Sequence, residues 1–87
     1  MPDSVEMIED CAFEQCANLE EITLSKSLTR IGTRAFADCW RIRTLEIPES
    51  VTRIEMFAFN GCDLLEEITL RRGLTVIDGY AFSACKI

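Results

Sequence analysis

The chain has 87 residues, with 15 acidic and nine basic side chains and a formal net charge of −6. Nucleic-acid-binding surfaces gather lysine and arginine on one face, so this acidic balance argues against nucleic acid as a partner. No stretch approaches the roughly 20 apolar residues that a membrane-spanning helix needs, so no membrane insertion is expected. A chain of this length buries little surface around a single centre, but stacked units can share a core.

In chain order, the sequence repeats every 23 residues without an insertion or a deletion. The main columns of the repeat are Ile8, Ile31, Ile54 and Ile77, then Phe13, Phe36, Phe59 and Phe82, then Cys16, Cys39, Cys62 and Cys85. Such a period indicates supersecondary units that stack because none can bury its apolar face alone. We place the units at about 4–26, 27–49, 50–72 and 73–87, the last one partial. Neither terminal unit shows a polar cap, which predicts that the chain is a segment of a longer array.

The second unit predicts three structural segments. Residues 28–31 form a short extended segment, and Gly32 then permits a bend. Small and helix-tolerant residues at 33–39 predict one or two turns of α- or 3₁₀-helix. Residues 42–47 alternate apolar and polar side chains, as a half-buried strand does, and successive strands must be parallel because the same crossover leads to each. The equivalent strands are predicted at 19–24 and 65–70.

The residues of this unit resemble the BspA-type leucine-rich repeat. The matching positions are Leu28-Thr29-Arg30-Ile31-Gly32, Ala35-Phe36, Cys39 and Ile47-Pro48-Glu49-Ser50-Val51, and the resemblance covers the whole chain. It implies an α/β repeat fold: a leucine-rich-repeat solenoid of about four units, with short parallel strands on the concave face and short helical turns on the convex side. It also implies a non-catalytic protein-binding or adhesion module, with a slight preference for a secreted or cell-surface location.

The cysteine column could in principle form disulfides, bind a metal ion or supply a catalytic nucleophile. The residues argue against each of these. Stacked cysteines would have parallel side chains about 4.8 Å apart, whereas a disulfide needs converging Cβ atoms about 3.8 Å apart. A spacing of 23 residues gives a line of thiols instead of a converging metal site, and the chain has no histidine to activate a nucleophile. We therefore expect buried thiols, with no metal and no cofactor. Cys11 lies outside this column, so a free reactive thiol is an open alternative to partial burial there.

The outward positions of the predicted strands are the candidate ligand contacts, by resemblance to repeats that bind through the concave face. They are Glu21, Thr23, Ser25, Thr44, Glu46, Glu67, Thr69 and Arg71. Such an acidic, hydroxyl-rich patch suits a basic or polar protein surface, or a glycan. The alternative is a solvated strand face on which threonine serves β-propensity.

Charged columns beside this face predict contacts along the stack. Glu20, Arg43 and Glu66 alternate in sign, so neighbouring side chains can pair. Arg30 and Arg53 stack like charges without an obvious partner in the sequence.

Three aromatic side chains depart from the core pattern and are possible contacts. Trp40 aligns with Ala17 and Asp63, so the core does not require it, and exposed tryptophan is a frequent binding anchor. Phe57 and Tyr80 share a column and predict a second apolar patch. The alternative is that each ring lies flat over an adjacent turn.

Three functional hypotheses follow, and none is enzymatic, because a narrow stack offers no pocket with converging acid, base or nucleophile. The first is a module that binds a protein or glycan ligand. The second is a structural spacer that associates end to end. The third is a sensor region of a larger protein.

Overall fold

The structure is a computed structural model that describes residues 1–85, and it confirms a repeat fold with parallel strands. Six strands occur in these residues: β1 (Met7–Ile8), β2 (Arg30–Ile31), β3 (Thr44–Glu46), β4 (Arg53–Ile54), β5 (Glu67–Thr69) and β6 (Val76–Ile77). They form a four-stranded sheet of order β1-β2-β4-β6, here the long sheet, and a two-stranded sheet β3-β5, here the short sheet. Every pairing is parallel. Each 23-residue turn of the chain is called a rung below, and the first rung is 4–26.

Threonine side chains reinforce the long sheet where one rung meets the next. Each such meeting of two adjacent rungs is called a joint below. In Thr29, the backbone N–H and the hydroxyl Oγ1 both donate to the Glu6 carbonyl oxygen, at 2.8 and 2.9 Å. Thr52 repeats this arrangement on the Thr29 carbonyl, and Thr75 repeats it on the Thr52 carbonyl. Each rung therefore meets the next through a shared carbonyl just before the strand begins.

The side of each rung that lies opposite the short sheet is built from β-turns, so the predicted helical turns at 33–39 are not confirmed. Alternate N–H groups bond within the rung and to the next rung: Ala35 donates to the Gly32 carbonyl, whereas Phe36 donates to the Ala58 carbonyl at 2.7 Å. Arg34 and Asp38 have φ angles of 58° and 60°. A helix cannot form there, because it needs negative φ throughout and would consume the N–H groups that join the rungs.

The core is a column of apolar side chains that runs through the stack. Phe13, Phe36, Phe59 and Phe82 stack face to face with ring centroids 5.1–5.2 Å apart and ring planes within 6° of parallel. Phe36 and Phe59 are fully buried, as are the inward isoleucines of β2 and β4. Because the repeat has a constant period of 23 residues, equivalent residues of adjacent rungs lie on top of one another, and each phenylalanine ring packs on the equivalent ring of the next rung.

The strand predicted at 19–24 is wrong. No backbone hydrogen bond joins 19–24 to 43–47 among the described residues, although Leu24 is buried in the core. The two residues that follow this segment bond to residues near the N-terminus instead: the Ser25 hydroxyl donates to the Val5 carbonyl oxygen at 2.7 Å, and the Lys26 N–H donates to the Asp3 carboxylate at 3.2 Å. The short sheet therefore has two strands where three were expected.

Candidate functional site

A groove lies along the short sheet and the unpaired segment 21–24. Its volume is about 680 Å³, and it is lined by strand residues together with the loop that follows β3. Seven of the eight predicted strand-face residues line it: Glu21, Thr23, Thr44, Glu46, Glu67, Thr69 and Arg71. All seven are exposed, so the structure brings the predicted contacts to one surface.

Ser25 is the exception, and its predicted outward position is wrong. The residue is fully buried. Its hydroxyl donates to the Val5 carbonyl and accepts a hydrogen bond from the Ser27 N–H at 3.1 Å. Buried hydroxyl groups are usually hydrogen-bonded, and these two contacts satisfy the Ser25 hydroxyl away from solvent. Its column mate Arg71 has no such inward partner and reaches outward instead.

The charges along the groove are unbalanced. Arg71 forms an ion pair with Glu46 across adjacent rungs. Within residues 1–85, no ion pair is formed by the lining carboxylates Glu21, Glu49 and Glu67, and Lys26 is the remaining lining cation. The groove therefore presents an excess of negative charge beside exposed threonine hydroxyls.

A second charged cluster, on the long sheet, was missed by the sequence prediction. Arg30 and Arg53 were expected to stack without a partner, but the Glu55 carboxylate accepts from both, at 2.6 Å from Arg30 Nε and 3.3 Å from Arg53 Nε. The Glu55 side chain is only 14% exposed. A signal was present in the sequence, because Glu55 follows Arg53 by two residues and so lies on the same face of the extended chain.

The pairing predicted for the alternating column is confirmed at one joint. Arg43 Nη1 lies 3.8 Å from the Glu66 carboxylate, and both side chains are well exposed. Exposed pairs of this kind contribute little to stability, about 0.2–1 kcal/mol, so this contact favours the observed register without holding the fold.

The three aromatic candidates occupy two separate surfaces. Trp40 is 45% exposed, and the Arg41 guanidinium lies 5.5 Å from its ring centroid. Phe57 is stacked between Tyr80, at 5.4 Å, and the Arg34 guanidinium, at 5.1 Å. Tyr80 is 68% exposed. None of the three lines the groove along the short sheet.

The five cysteines are free thiols. Cys39 and Cys62 are buried, and each Sγ donates to a phenylalanine carbonyl of the preceding rung, at 3.0 Å to Phe13 and 3.3 Å to Phe36. Burial raises the pKa of the Cys39 thiol to about 11. These thiols therefore behave as small apolar groups with a weak donor.

Cys11 is exposed, so the partial burial against its neighbours that the sequence favoured is wrong. Its hydrogen bond with Glu14 raises the pKa of the thiol, and the nearby carboxylates act in the same direction. A higher pKa lowers the fraction of Cys11 that is present as thiolate, the reactive form, at neutral pH.

Residues 1–85 contain neither a candidate metal centre nor a membrane-spanning helix. No group of three or more cysteine, aspartate or glutamate side chains is placed to hold a metal ion, and no helix long and apolar enough to cross a bilayer is present in this part of the chain.

A stack of 23-residue rungs with short parallel strands and an aromatic core column defines the class of leucine-rich-repeat solenoids. The family comparison identifies the type: the BspA type leucine rich repeat region (6 copies) matches residues 1–87. The chain belongs to this family, and the resemblance drawn from the sequence is confirmed. No match was found among curated proteins.

A solved structure extends the comparison. A leucine rich cell surface protein from Faecalibacterium prausnitzii A2-165, known from a crystal structure at 1.80 Å resolution, matches 98% of this chain with 40% sequence identity and a TM-score of 0.94. The chain spans 22% of the length of that protein.

Proposed function

We propose that this chain is a non-catalytic binding module of a cell-surface or secreted protein, and that the groove along the short sheet is its ligand site. The observation that supports this most strongly is the gathering of seven exposed polar and charged side chains around one groove of about 680 Å³. The match to a cell-surface protein supports the location, and an adhesive role fits both.

The charge of the groove indicates the ligand. Unpaired carboxylates outnumber unpaired cations along its lining, so a basic polypeptide surface complements it and an acidic one does not. Threonine hydroxyls add donors and acceptors that serve a protein or a glycan equally. We favour a protein ligand because the excess charge is useful only against a partner that carries cations.

The test replaces the two unpaired carboxylates of one column, in Glu21→Lys together with Glu67→Lys. Binding is measured by biolayer interferometry against polylysine, polyglutamate and a glycan array. We expect the native chain to bind polylysine and the double variant to lose that binding by at least about tenfold. The matched control is Glu20→Lys with Asp63→Lys, which makes the same change in charge outside the groove lining.

Equal binding of polylysine by the native chain and the groove variant would contradict the assignment of the site. Retention of the circular dichroism spectrum and of the unfolding midpoint in both variants shows that the fold is intact. Selective capture of neutral glycans by the native chain would transfer the proposal to a carbohydrate ligand.

A second candidate function, end-to-end association, is favoured by a separate observation. An apolar groove of about 490 Å³ lies beside β1 and is lined mainly by apolar side chains, including Val5, Met7 and Phe13. Near the opposite end of the stack, Leu70 and Ile77 are both about 45% exposed. These surfaces match the internal faces at which rungs meet. Light scattering over a concentration series tests this candidate, and a mass that stays monomeric throughout would contradict it.

A further inference from the structure

The edge of β3 that faces away from β5 is open. The Arg43 carbonyl accepts from the Glu66 and Glu67 N–H groups, at 2.8 and 3.3 Å, and the Ile47 N–H donates to the Thr69 carbonyl at 3.0 Å. Odd-numbered residues of this strand therefore point their backbone groups at β5. Because successive residues of a strand point these groups to opposite sides, Thr44 and Glu46 direct theirs toward the first rung.

No backbone partner meets those groups in residues 1–85. The segment 19–24 lies on that side but makes no backbone hydrogen bond with 43–47. Elsewhere the same two rungs are joined: Gly32 N–H donates to the Ile8 carbonyl at 2.9 Å, and Gln15 N–H donates to the Ala37 carbonyl at 2.8 Å. The opening is therefore local to the short sheet.

The groove coincides with this opening. It is lined by 21–24 on one side of the opening and, on the other side, by all three residues of β3 together with Glu67, Thr69 and Arg71 of the next rung. An exposed strand edge presents unpaired N–H and C=O groups that another chain can extend, and addition of an extended peptide to such an edge is a recurring mode of recognition. Three paired residues would occupy about 10 Å along the strand.

The side chains around the opening indicate which peptide would fit. On the solvent side lie Glu21 and Glu67, both without an ion-pair partner among the described residues. On the inner side lie Ile22, Leu24 and Leu45, which are partly or fully buried and also line the groove. A strand placed here would alternate basic residues toward solvent with apolar residues toward the core.

We propose that the groove receives an extended polypeptide segment of alternating basic and apolar residues, which pairs as an added strand with the open edge of β3. This inference rests on the proposed function and deepens it, because it specifies how the ligand is held. Backbone hydrogen bonds supply part of the affinity, and the alternation of side chains supplies the selectivity.

The experiment uses the full 87-residue chain and four hexapeptides. One alternates lysine and valine, and one alternates glutamate and valine. The other two repeat the lysine–valine sequence with N-methyl groups on all lysine amides or on all valine amides, which keeps the charge but removes one row of strand donors. Affinity is measured by titration, and hydrogen exchange at Thr44 and Glu46 is measured by NMR in the free and bound chain.

We expect the lysine–valine peptide to bind, to slow exchange at the Thr44 and Glu46 amides, and to exceed the glutamate–valine peptide by at least about tenfold in affinity. At least one N-methylated peptide should lose about tenfold. Exchange at the Leu45 amide, which faces β5, serves as the internal control and should not change.

Three outcomes overturn the inference. If both N-methylated peptides bind as tightly as the unmethylated lysine–valine peptide, strand addition is excluded, while a basic ligand, and hence the proposed function, remains in place. Slow exchange at Thr44 and Glu46 in the free chain would show that 19–24 closes the ladder in solution. Absence of binding by all four peptides would also reject strand addition, and the groove would then be judged by the polylysine titration alone.

Discussion

The long sheet and the short sheet are made from the same 23-residue repeat, but only the long sheet continues through all four of its rungs. Each joint of the long sheet includes a threonine hydroxyl bonded to the carbonyl that also accepts the backbone N–H, as at Thr29 and Thr75. The short sheet joins two rungs only. Within residues 1–85, the long sheet and the β-turns therefore join every pair of adjacent rungs, whereas the short sheet joins only the second rung to the third.

The largest expected effect on stability comes from a substitution in the core that both sheets share. Phe36 is fully buried between the rings of Phe13 and Phe59. We expect Phe36→Ala to lower the free energy of unfolding by about 3–5 kcal/mol, measured by urea denaturation. Phe13→Ala is the matched control: its ring is partly exposed and stacks on one side only, so its loss should be clearly smaller. Equal losses of unfolding free energy in the two variants would show that the central ring contributes no more to stability than the terminal ring.

The second prediction weakens the long sheet alone, at the joint between the first two rungs. A Cβ atom on Gly32 would lie 2.6 Å from Asp10 Oδ1 and 2.8 Å from the Ile8 carbonyl oxygen. We expect Gly32→Ala to cost about 1–3 kcal/mol, because backbone must move to accommodate the methyl group. Gly79→Ala is the control, since nothing lies within 4 Å of its added Cβ, and it should change stability by less than about 0.5 kcal/mol. Similar unfolding midpoints for the two variants would contradict the argument.

The third prediction separates the charged contacts of the two sides. Glu55 accepts from two arginines on the long sheet and is largely shielded from solvent, whereas Glu66 pairs with Arg43 in full exposure. We expect Glu55→Gln to cost about 1–2 kcal/mol and Glu66→Gln no more than about 0.5 kcal/mol. The measurement is thermal unfolding at low and at high salt, and only the Glu66 contribution should disappear with salt. Identical salt responses would contradict the difference in shielding.

The smallest prediction concerns the β-turns that join the rungs beside both sheets. Gln15 has a φ angle of 60°, a conformation that costs a residue with a Cβ atom and costs glycine nothing. We expect Gln15→Gly to stabilise the chain by about 0.5–1 kcal/mol in chemical denaturation. The control is Gln15→Ala, which removes the same side chain but keeps the unfavourable φ, and it should give no gain. A gain for alanine equal to that for glycine would attribute the effect to the side chain.

The extended segment at 28–31, the parallel pairing and the core column could be predicted from the sequence because each depends on the period alone, whereas the four-stranded sheet that this segment forms was not predicted. A residue and its counterpart 23 positions later must meet when rungs stack in register, and the pairing of Arg30 with Arg53 follows directly. The seven exposed groove residues could be placed for the same reason. Whether they act together on a ligand depends on chemistry that the period does not encode.

The β-turns could not be predicted because most residues at their left-handed positions are not of the types that usually mark such turns. Left-handed φ angles are usually marked by glycine or asparagine, but here they occur at Arg34, Phe57 and Tyr80, and only Gly61 carries the expected residue. Tertiary hydrogen bonds to the next rung override the local preference. The residues themselves favour a helix, which is why helical turns were expected.

The misplaced residues of the first rung have a different cause. Ser25 turns inward because its hydroxyl donates to the Val5 carbonyl, 20 positions earlier in the chain. The equivalent residues of the other rungs give no sequence pattern that predicts this contact. Its counterparts Pro48 and Arg71 cannot make it. Departures within one rung therefore need the three-dimensional structure, whereas features common to all rungs do not.

The direction of the hydrogen bonds between rungs has a mechanical consequence. These bonds run from one rung to the next, so the joints lie in series along the stack, and under tension they would break one after another. Each released rung would add up to about 76–83 Å of extended chain, for 23 residues at about 3.3–3.6 Å each. A tether built this way lengthens in steps under a pulling force and dissipates work at each step.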